Sequence, residues 1–253
     1  MEIKSLSHTS PDELFEAFEQ AFADYEVQLN KAEHLTMFKR RGFNPKASFG
    51  AFDRDKLVSF TCNGIGNFYG VRAAYDTGTG TLKDYQGRGL ATQVFEYSIP
   101  YLRELGIEEY LLEVLQHNTG ALSVYRKLGF EITREFYYFK QKNEQVDRAV
   151  KALDCCYTLK SIKISEYSSI HKFWDFEPSW QNSFEAINNT LKDFICLGIF
   201  LESKLVGYGV FEPVSGDVTQ IAVDKEHRRK GIGSLLFQKM LESNKHSCLL
   251  YTS

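Results

Sequence analysis

Apolar residues recur at helical spacing near the start of the chain, where Leu14, Phe15, Phe18, Ala21 and Phe22 share one face. Ser10-Pro11-Asp12-Glu13 opens that helix with an N-cap hydroxyl, a proline at the first position and a glutamate that completes a capping box. A second helix is predicted over 31–41, with Leu35 and Phe38 inward and Gly42 as its stop. Strand patterns follow at 47–52 and 57–62, joined by the turn-like Asp53-Arg54-Asp55-Lys56, and a long strand rich in Thr and Gly covers 71–82. The next helix carries Leu90, Val94, Phe95 and Leu102. Pro100 is expected to kink it or end it early, because proline removes a backbone hydrogen bond. A buried strand over 110–115, a helix over 119–128 and a closing strand over 130–139 complete the series.

The polar stretch 141–148 then interrupts the pattern, with a short helix running on to Leu153, and the order starts again. Phe52-Asp53-Arg54-Asp55-Lys56-Leu57-Val58 has a counterpart 148 positions later in Phe200-Leu201-Glu202-Ser203-Lys204-Leu205-Val206. A basic, glycine-containing turn recurs 142 positions later, as Gln86-Gly87-Arg88-Gly89-Leu90-Ala91 and Arg228-Arg229-Lys230-Gly231-Ile232-Gly233. Two shifts this close indicate a duplicated domain with a small deletion. The predicted division is a first domain over 1–140, a linker over 141–160 and a second domain over 161–253. In the second copy, strands at 194–200, 205–211 and 218–223 precede a helix over 232–241, and 248–253 matches the strand before the helix over 119–128. This copy reads as incomplete, so its segments 218–221 and 249–251 are expected to be covered by the first domain or by another chain, as in a homodimer.

Composition narrows the class. With 253 residues, 43% hydrophobic, 20 Phe and 14 Tyr, the chain is expected to fold throughout. A net charge of -3 gives no chain-wide attraction to nucleic acid or anionic membrane. The longest apolar run, 194–201, is far short of the roughly 20 residues of a membrane span, and no apolar signal segment opens the chain. A cytoplasmic protein is expected, and the five irregularly placed cysteines fit reduced thiols. Cys155-Cys156 has no second ligand pair beside it, so buried apolar cysteine is favoured over a metal site.

Each glycine turn follows a strand and opens an amphipathic helix, an arrangement that aims unpaired N–H groups and a positive helix end at one point and suits a pyrophosphate. Neither turn ends in the Gly-Lys-Ser/Thr of a nucleotide loop. After the first copy comes Asn118-x-x-Ala121-x-x-x-Tyr125-x-x-x-Gly129-Phe130. Together these residues resemble the GCN5-related N-acetyltransferase (GNAT) superfamily twice over. The resemblance implies an α+β fold of two acyl-CoA acyltransferase-type domains, each a mixed, mostly antiparallel sheet flanked by helices. It further implies that Gln86, Gly87, Arg88, Gly89, Leu90 and Ala91 hold the pyrophosphate of acetyl-CoA, the acetyl donor and cosubstrate.

Glu113 lies inside the apolar run Leu111-Leu112-Glu113-Val114-Leu115. Taken alone it reads as a solvent-facing position on an alternating strand, and Tyr125 alone as a core tyrosine with a surface hydroxyl. The string over 112–125 is similar to bacterial ribosomal-protein N-terminal acetyltransferases, in which the equivalent Glu is the base and the Tyr the acid. That resemblance assigns Glu113 to take the proton of the attacking primary amine and Tyr125 to protonate the leaving thiolate. It also places the oxyanion donor at a backbone N–H near Thr81 and has Asn118 fix the local backbone and contact the pantetheine arm. Tyr75 and Asp76 either contact substrate or belong to a glycine-relaxed, bulged strand. The aromatic cluster over 173–180 reads as core packing or as the lining of a cleft. The function implied is an N-acetyltransferase acting on a small-molecule or peptide amine, catalytic in the first domain; the alternative is a non-catalytic acyl-CoA-binding sensor or scaffold.

Overall fold

The computed structural model describes residues 1–25, 28–146, 156–167 and 169–252 and divides into two units, Met1–Thr133 and Arg134–Ser253. The first begins with β1 (Glu2–Ser5), a short strand with no recognised sequence signal. Local capping then sets two helices. Ser10 Oγ accepts the Glu13 N–H (3.2 Å) while the Glu13 carboxylate accepts the Ser10 N–H (2.7 Å), starting α1 (Pro11–Ala21). Asn30 and Glu33 repeat the exchange at α2 (Lys31–Arg40). The inward face of α2 differs from expectation. Leu35 is exposed, and His34, one helical turn before Phe38, takes the buried place among Phe15, Phe18 and Phe38.

β2 (Phe49–Asp53), β3 (Lys56–Phe68) and β4 (Val71–Thr81) form an antiparallel meander, with β1 on the outer edge of β2. α3 (Leu90–Glu104) crosses the sheet with Val94, Phe95 and Leu102 buried. It does not end early at Pro100, because Pro100 faces solvent, where water can satisfy the carbonyl orphaned one turn earlier, while both flanking turns are anchored in the core. β5 (Glu109–Leu111) adds to β4 in parallel, giving the order β1-β2-β3-β4-β5. The buried strand expected over 110–115 is therefore only three residues long, and residues 112–115 run on irregularly, half-buried to exposed. α4 (Thr119–Lys127) follows.

The strand expected to close the first sheet does not do so. Residues 131–137 are irregular, and β6 (Tyr138–Lys142) belongs to the second sheet, which runs β6-β11-β10-β9-β8-β7. Its other members are β7 (Tyr157–Ser161), β8 (Ile195–Leu201), β9 (Lys204–Glu212), β10 (Asp217–Val223) and β11 (Cys248–Thr252), with α5 (Phe184–Asn189) before β8 and α6 (Ile232–Ser243) before β11. β11 meets β10 in register only at Asp217 and Leu250, so its five-residue antiparallel pairing with β6 secures it in the sheet. The segments expected to need an outside cover are covered in part from within, Ile221, Leu250 and Tyr251 staying half-buried. Val218 and Leu249 are buried against Phe211 and against Met240 and Leu241 of α6. Cys156 is exposed rather than buried. Cys155 and the helix expected to reach Leu153 lie outside the described residues. No helix among the described residues is long and apolar enough to cross a membrane.

Candidate active site

The end of β4 and the start of α3 are joined by a pinned turn. The Gln86 side chain donates to the Thr81 carbonyl (3.1 Å) and Arg88 to the Asp84 carbonyl (2.7 Å), its guanidinium lying over the Tyr85 ring. Gly87 and Gly89 hold φ of +75° and +72°, a left-handed shape that disfavours any side chain. Gly89 is the N-cap of α3 and supplies no side-chain cap, so the first helical N–H groups keep their hydrogen-bonding capacity. A Cβ built on Gly87 would meet nothing within 4 Å, which leaves room for a phosphate to approach the backbone. The turn thus fits the pyrophosphate of acetyl-CoA. Leu90 is buried in the core and can offer only its backbone; Ala91 is half-buried.

Beside the turn, the sheet opens. β5 is paired with β4 only through Ala73, Ala74 and Tyr75. From Asp76 onward that edge of β4 has no strand partner. Leu82 N–H donates to Val58 on β3 (2.9 Å), so the preceding N–H, that of Thr81, points to the opposite, open edge. The β3–β4 register slips between Cys62/Gly78 and Asn63/Asp76, which makes Thr77 the extra residue of a bulge. An unbulged strand would send side chains three apart to opposite faces. Here Asp76 and Thr79 meet instead, Thr79 Oγ1 donating to Asp76 Oδ2 (2.8 Å), while Gly78 N–H donates to Asp76 Oδ1 (2.9 Å).

Tyr125, on α4, joins this cluster by donating its phenol proton to Asp76 Oδ2 (3.1 Å). Asp76 is buried, and burial pushes its carboxyl pKa up to about 6 against the opposing pull of these hydrogen bonds and the Arg41 charge. Burial first, then the Asp76 charge and bond, raise the Tyr125 phenol well above its ordinary value. Glu113 has a phenol of its own: its carboxylate accepts from Tyr75, whose pKa is raised by burial and then by Glu113. Tyr75 and Asp76 are consecutive on β4, so the two carboxylate–phenol pairs fall on opposite faces of the strand. Asp76 was legible in the sequence only as an alternative substrate contact; the signal was a lone carboxylate within a Thr/Gly-rich strand.

The spacing of Asn118, Tyr125, Gly129 and Phe130 has a local cause. Asn118 Oδ1 accepts the Ala121 N–H (3.1 Å) and caps α4 at its start. Gly129 (φ +86°) ends it in a Schellman motif, with Phe130 N–H on the Tyr125 carbonyl (3.0 Å) and Gly129 N–H on that of Arg126 (3.1 Å). The Phe130 ring packs on Tyr125 at 5.7 Å. Helix capping therefore accounts for the spacing, whereas the Tyr125–Asp76 hydrogen bond is not required by it.

The second unit repeats the frame. Arg228 donates to the Val223 carbonyl (3.1 Å) as Gln86 does to Thr81, Asp224 N–H bonds Val206 (2.9 Å) as Leu82 does Val58, and Gly231 (φ +90°) caps α6. Arg229 adopts φ +63° where Gly87 stands in the first copy. The β9–β10 register slips between Val218 and Gln220, placing the bulge at Thr219, the counterpart of Thr77. Beside it lies a cavity of about 680 Å³, bordered by the aromatic strap Phe173, Trp174 and Phe176, which accordingly lines a cavity within the second unit. Arg228 also donates to Asp175 (3.0 Å) and to the Phe173 carbonyl (3.0 Å) of that strap. Trp174 donates to Tyr208 Oη and Tyr208 to Gln220, each at 2.6 Å.

A family model described as Acetyltransferase (GNAT) family matches residues 12–130 and 156–251. An N-alpha-acetyltransferase of Arabidopsis thaliana is 32% identical over 116 residues, 45% of this chain and 61% of that protein. An N-alpha-acetyltransferase of Schizosaccharomyces pombe is 28% identical over 96 residues, 38% of this chain and 64% of that protein. The matches thus span less than two thirds of these relatives' lengths. Among solved structures, a tandem GNAT protein from the clavulanic acid biosynthesis pathway shares the fold over 100% of this chain and 90% of its own, with a TM-score of 0.72 at 13% identity. Its two sheets, its repeated turns and a family match to both copies establish that the chain belongs to the acetyltransferase (GNAT) family, as a tandem member.

Proposed function

We propose that the protein is an acetyl-CoA-dependent N-acetyltransferase whose chemistry occurs in the first unit. The observation that carries this reading is the edge of β4 left without a strand partner beyond Tyr75, with an open helix end, a free-edge N–H at Thr81 and two carboxylate–phenol pairs beside it. An alkyl ammonium, with a pKa of about 10.4, must lose a proton before it can attack a thioester; a peptide α-amine, at about 7.7–8.0, does so more readily. The names of the two N-alpha-acetyltransferase relatives favour the second acceptor. In this reading Glu113 takes that first proton, and the Thr81 N–H stabilises the oxyanion of the tetrahedral intermediate. Tyr125 protonates the departing thiolate. Gln86, Gly87, Arg88, Gly89, Leu90 and Ala91 hold the pyrophosphate through backbone N–H groups and the Arg88 charge, and Asn118 borders the pantetheine arm.

The second unit has a binding reading of its own. It keeps the turn and encloses a cavity, but Val218 stands where the first copy has Asp76, so it is assigned to binding or substrate shaping without chemistry. A thiol-release assay with acetyl-CoA and a panel of amines tests the whole proposal. Release should depend on added amine and be fastest with a short peptide bearing a free N-terminus. Acetyl-CoA binding without release from any peptide, lysine, polyamine or aminoglycoside would establish the non-catalytic binding module instead.

A further inference from the structure

The Tyr125 hydroxyl has one proton, and in this structure that proton is directed at Asp76. While that hydrogen bond is made, the phenol proton is engaged and Tyr125 has only lone pairs to offer another group, so it can receive a proton but not give one. The acid role of Tyr125 therefore needs a second group that stores a proton and returns it. Resting on the acetyl-transfer reading, the geometry points to Asp76 as a positioning residue that forms a two-way proton relay with Tyr125, accepting a proton from the attacking amine through Tyr125 and returning it through Tyr125 to the thiolate.

The steps balance. After Glu113 has taken the first proton of the ammonium, nitrogen attacks the thioester carbonyl, the N–C bond forms and the carbonyl π pair moves to oxygen. The remaining excess N–H proton passes to Tyr125 Oη as the Tyr125 proton passes to Asp76 Oδ2. When the oxyanion pair re-forms the carbonyl, the C–S bond breaks and its electron pair leaves on sulfur. Tyr125 then protonates sulfur and is refilled from Asp76. Amide and free thiol result, the first proton leaves Glu113 for solvent, and both relay groups return to their starting forms.

The duplicated fold separates chemistry from architecture. In the second unit the same bulge forms at Thr219 with Val218 at the Asp76 position, buried among Phe211, Met240, Leu241 and Leu249. The bulge therefore does not require a carboxylate. In the first unit a carboxyl that is 7% exposed is kept there against the cost of desolvation, with three donors and Tyr125 among them. Its surroundings are suited to cycling. Arg41 is the nearby positive charge, while Cys62 on β3, Tyr110 on β5 and Tyr125 on α4, and Tyr75 on the other face of β4, surround it as neutral groups whose pKa values are all raised. With its own pKa near 6, Asp76 is ionised and ready to accept at neutral pH, yet holds a proton more firmly than an ordinary aspartate.

The test is the pH dependence of kcat for the full chain with acetyl-CoA and an accepted amine. Because Asp76 must be ionised to accept, wild-type kcat should climb as pH rises through about 6. Asp76→Asn should lose about 10²-fold or more in kcat, with the KM for acetyl-CoA within about two-fold, and the climb should vanish. Asp76→Glu should recover part of the rate and restore the climb. Combining Asp76→Asn with Tyr125→Phe should be no slower than the slower single variant, since the two act as one unit. Asp76→Val, the residue of the second copy, checks for a merely structural role. Asp76 binds its proton more tightly folded than unfolded, so its contribution to stability is lost as pH rises from about 4 to about 6. Above pH 6 Asp76→Asn, which keeps a carbonyl acceptor for these donors, should accordingly hold the Tm near wild type, whereas Asp76→Val leaves the Gly78, Thr79 and Tyr125 donors unmatched and should lower it. A loss of activity in Asp76→Asn that is uniform with pH and accompanied by a fall in Tm, or a kcat within about three-fold of wild type, overturns the relay. If the wild type releases no thiol with any amine, the acetyl-transfer reading fails and takes the relay with it; if the wild type turns over and the variants keep its pH profile, the relay alone fails.

Discussion

The two units place different side chains on the same bent strand. β4 bulges at Thr77 and β10 at Thr219, each strand ends in a carbonyl held by the first side chain of the turn, and each turn delivers a left-handed glycine to a helix start. What differs is the residue before the bulge, a desolvated Asp76 bonded to Tyr125 in one unit and an apolar Val218 in the other. The shared features are those that backbone hydrogen bonding demands. The difference is one that folding does not demand, and the proposed relay rests on it.

Tyr125→Phe should break the comparison most severely. It removes the relay hydroxyl while leaving the ring packed on Phe95 and Phe130, so kcat should fall by about 10²-fold or more with the acetyl-CoA KM little changed. A kcat close to wild type would end the case for acid–base chemistry at α4. The reverse exchange, Val218→Asp, places a carboxylate in an apolar cluster of Phe211, Met240, Leu241 and Leu249, and should destabilise the second unit by about 3 kcal/mol or more in a urea melt. Little change would mean that the site before the bulge is polar in both copies.

Gly89→Leu and Gly231→Leu impose similar strain, about 1–3 kcal/mol, at equivalent left-handed caps. Only Gly89→Leu should raise the acetyl-CoA KM in turnover, by about ten-fold or more. The opposite outcome would move the active site to the second unit.

Smaller effects concern the support of the first unit. His34 is buried without a hydrogen bond to either ring nitrogen, and burial, then Arg41, lower its pKa to about 4. The unfolded chain binds that proton more readily, so stability should decline as pH falls through about 6.5 toward about 4. His34→Leu should flatten this decline in thermal melts recorded across that range. Asn118→Ala removes the α4 cap and should cost about 1 kcal/mol, seen as faster amide exchange in the first turn of α4.

Much of this was legible because it is local. The capping box at Ser10, the glycine turns, the hairpin repeated at Arg54 (φ +57°) and Glu202 (φ +56°), and the string from Asn118 to Phe130 depend on residues a few positions apart. The two offsets of 148 and 142 identified the duplication from the sequence alone. Helix faces were less secure: choosing Leu35 over His34 follows hydrophobicity, but the fold buried His34 because its ring fills a space bounded by three phenylalanines. Strand partnership was beyond the pattern. Of the residues expected to close the first sheet, 131–137 form no strand and Tyr138 and Phe139 enter β6, which pairs with β11 more than a hundred positions away; nothing in an alternating run names its partner. The Asp76–Tyr125 bond was hidden for the same reason. It joins residues 49 positions apart, and it exists only because the bulge at Thr77 turns β4 and the caps of α4 orient Tyr125. The sequence by itself determined the family, the repeat and the turn chemistry, since each is written in short-range order. Only the tertiary structure decided which strand closes which sheet and which carboxylate faces the tyrosine, since both depend on long-range packing that brings distant residues into contact.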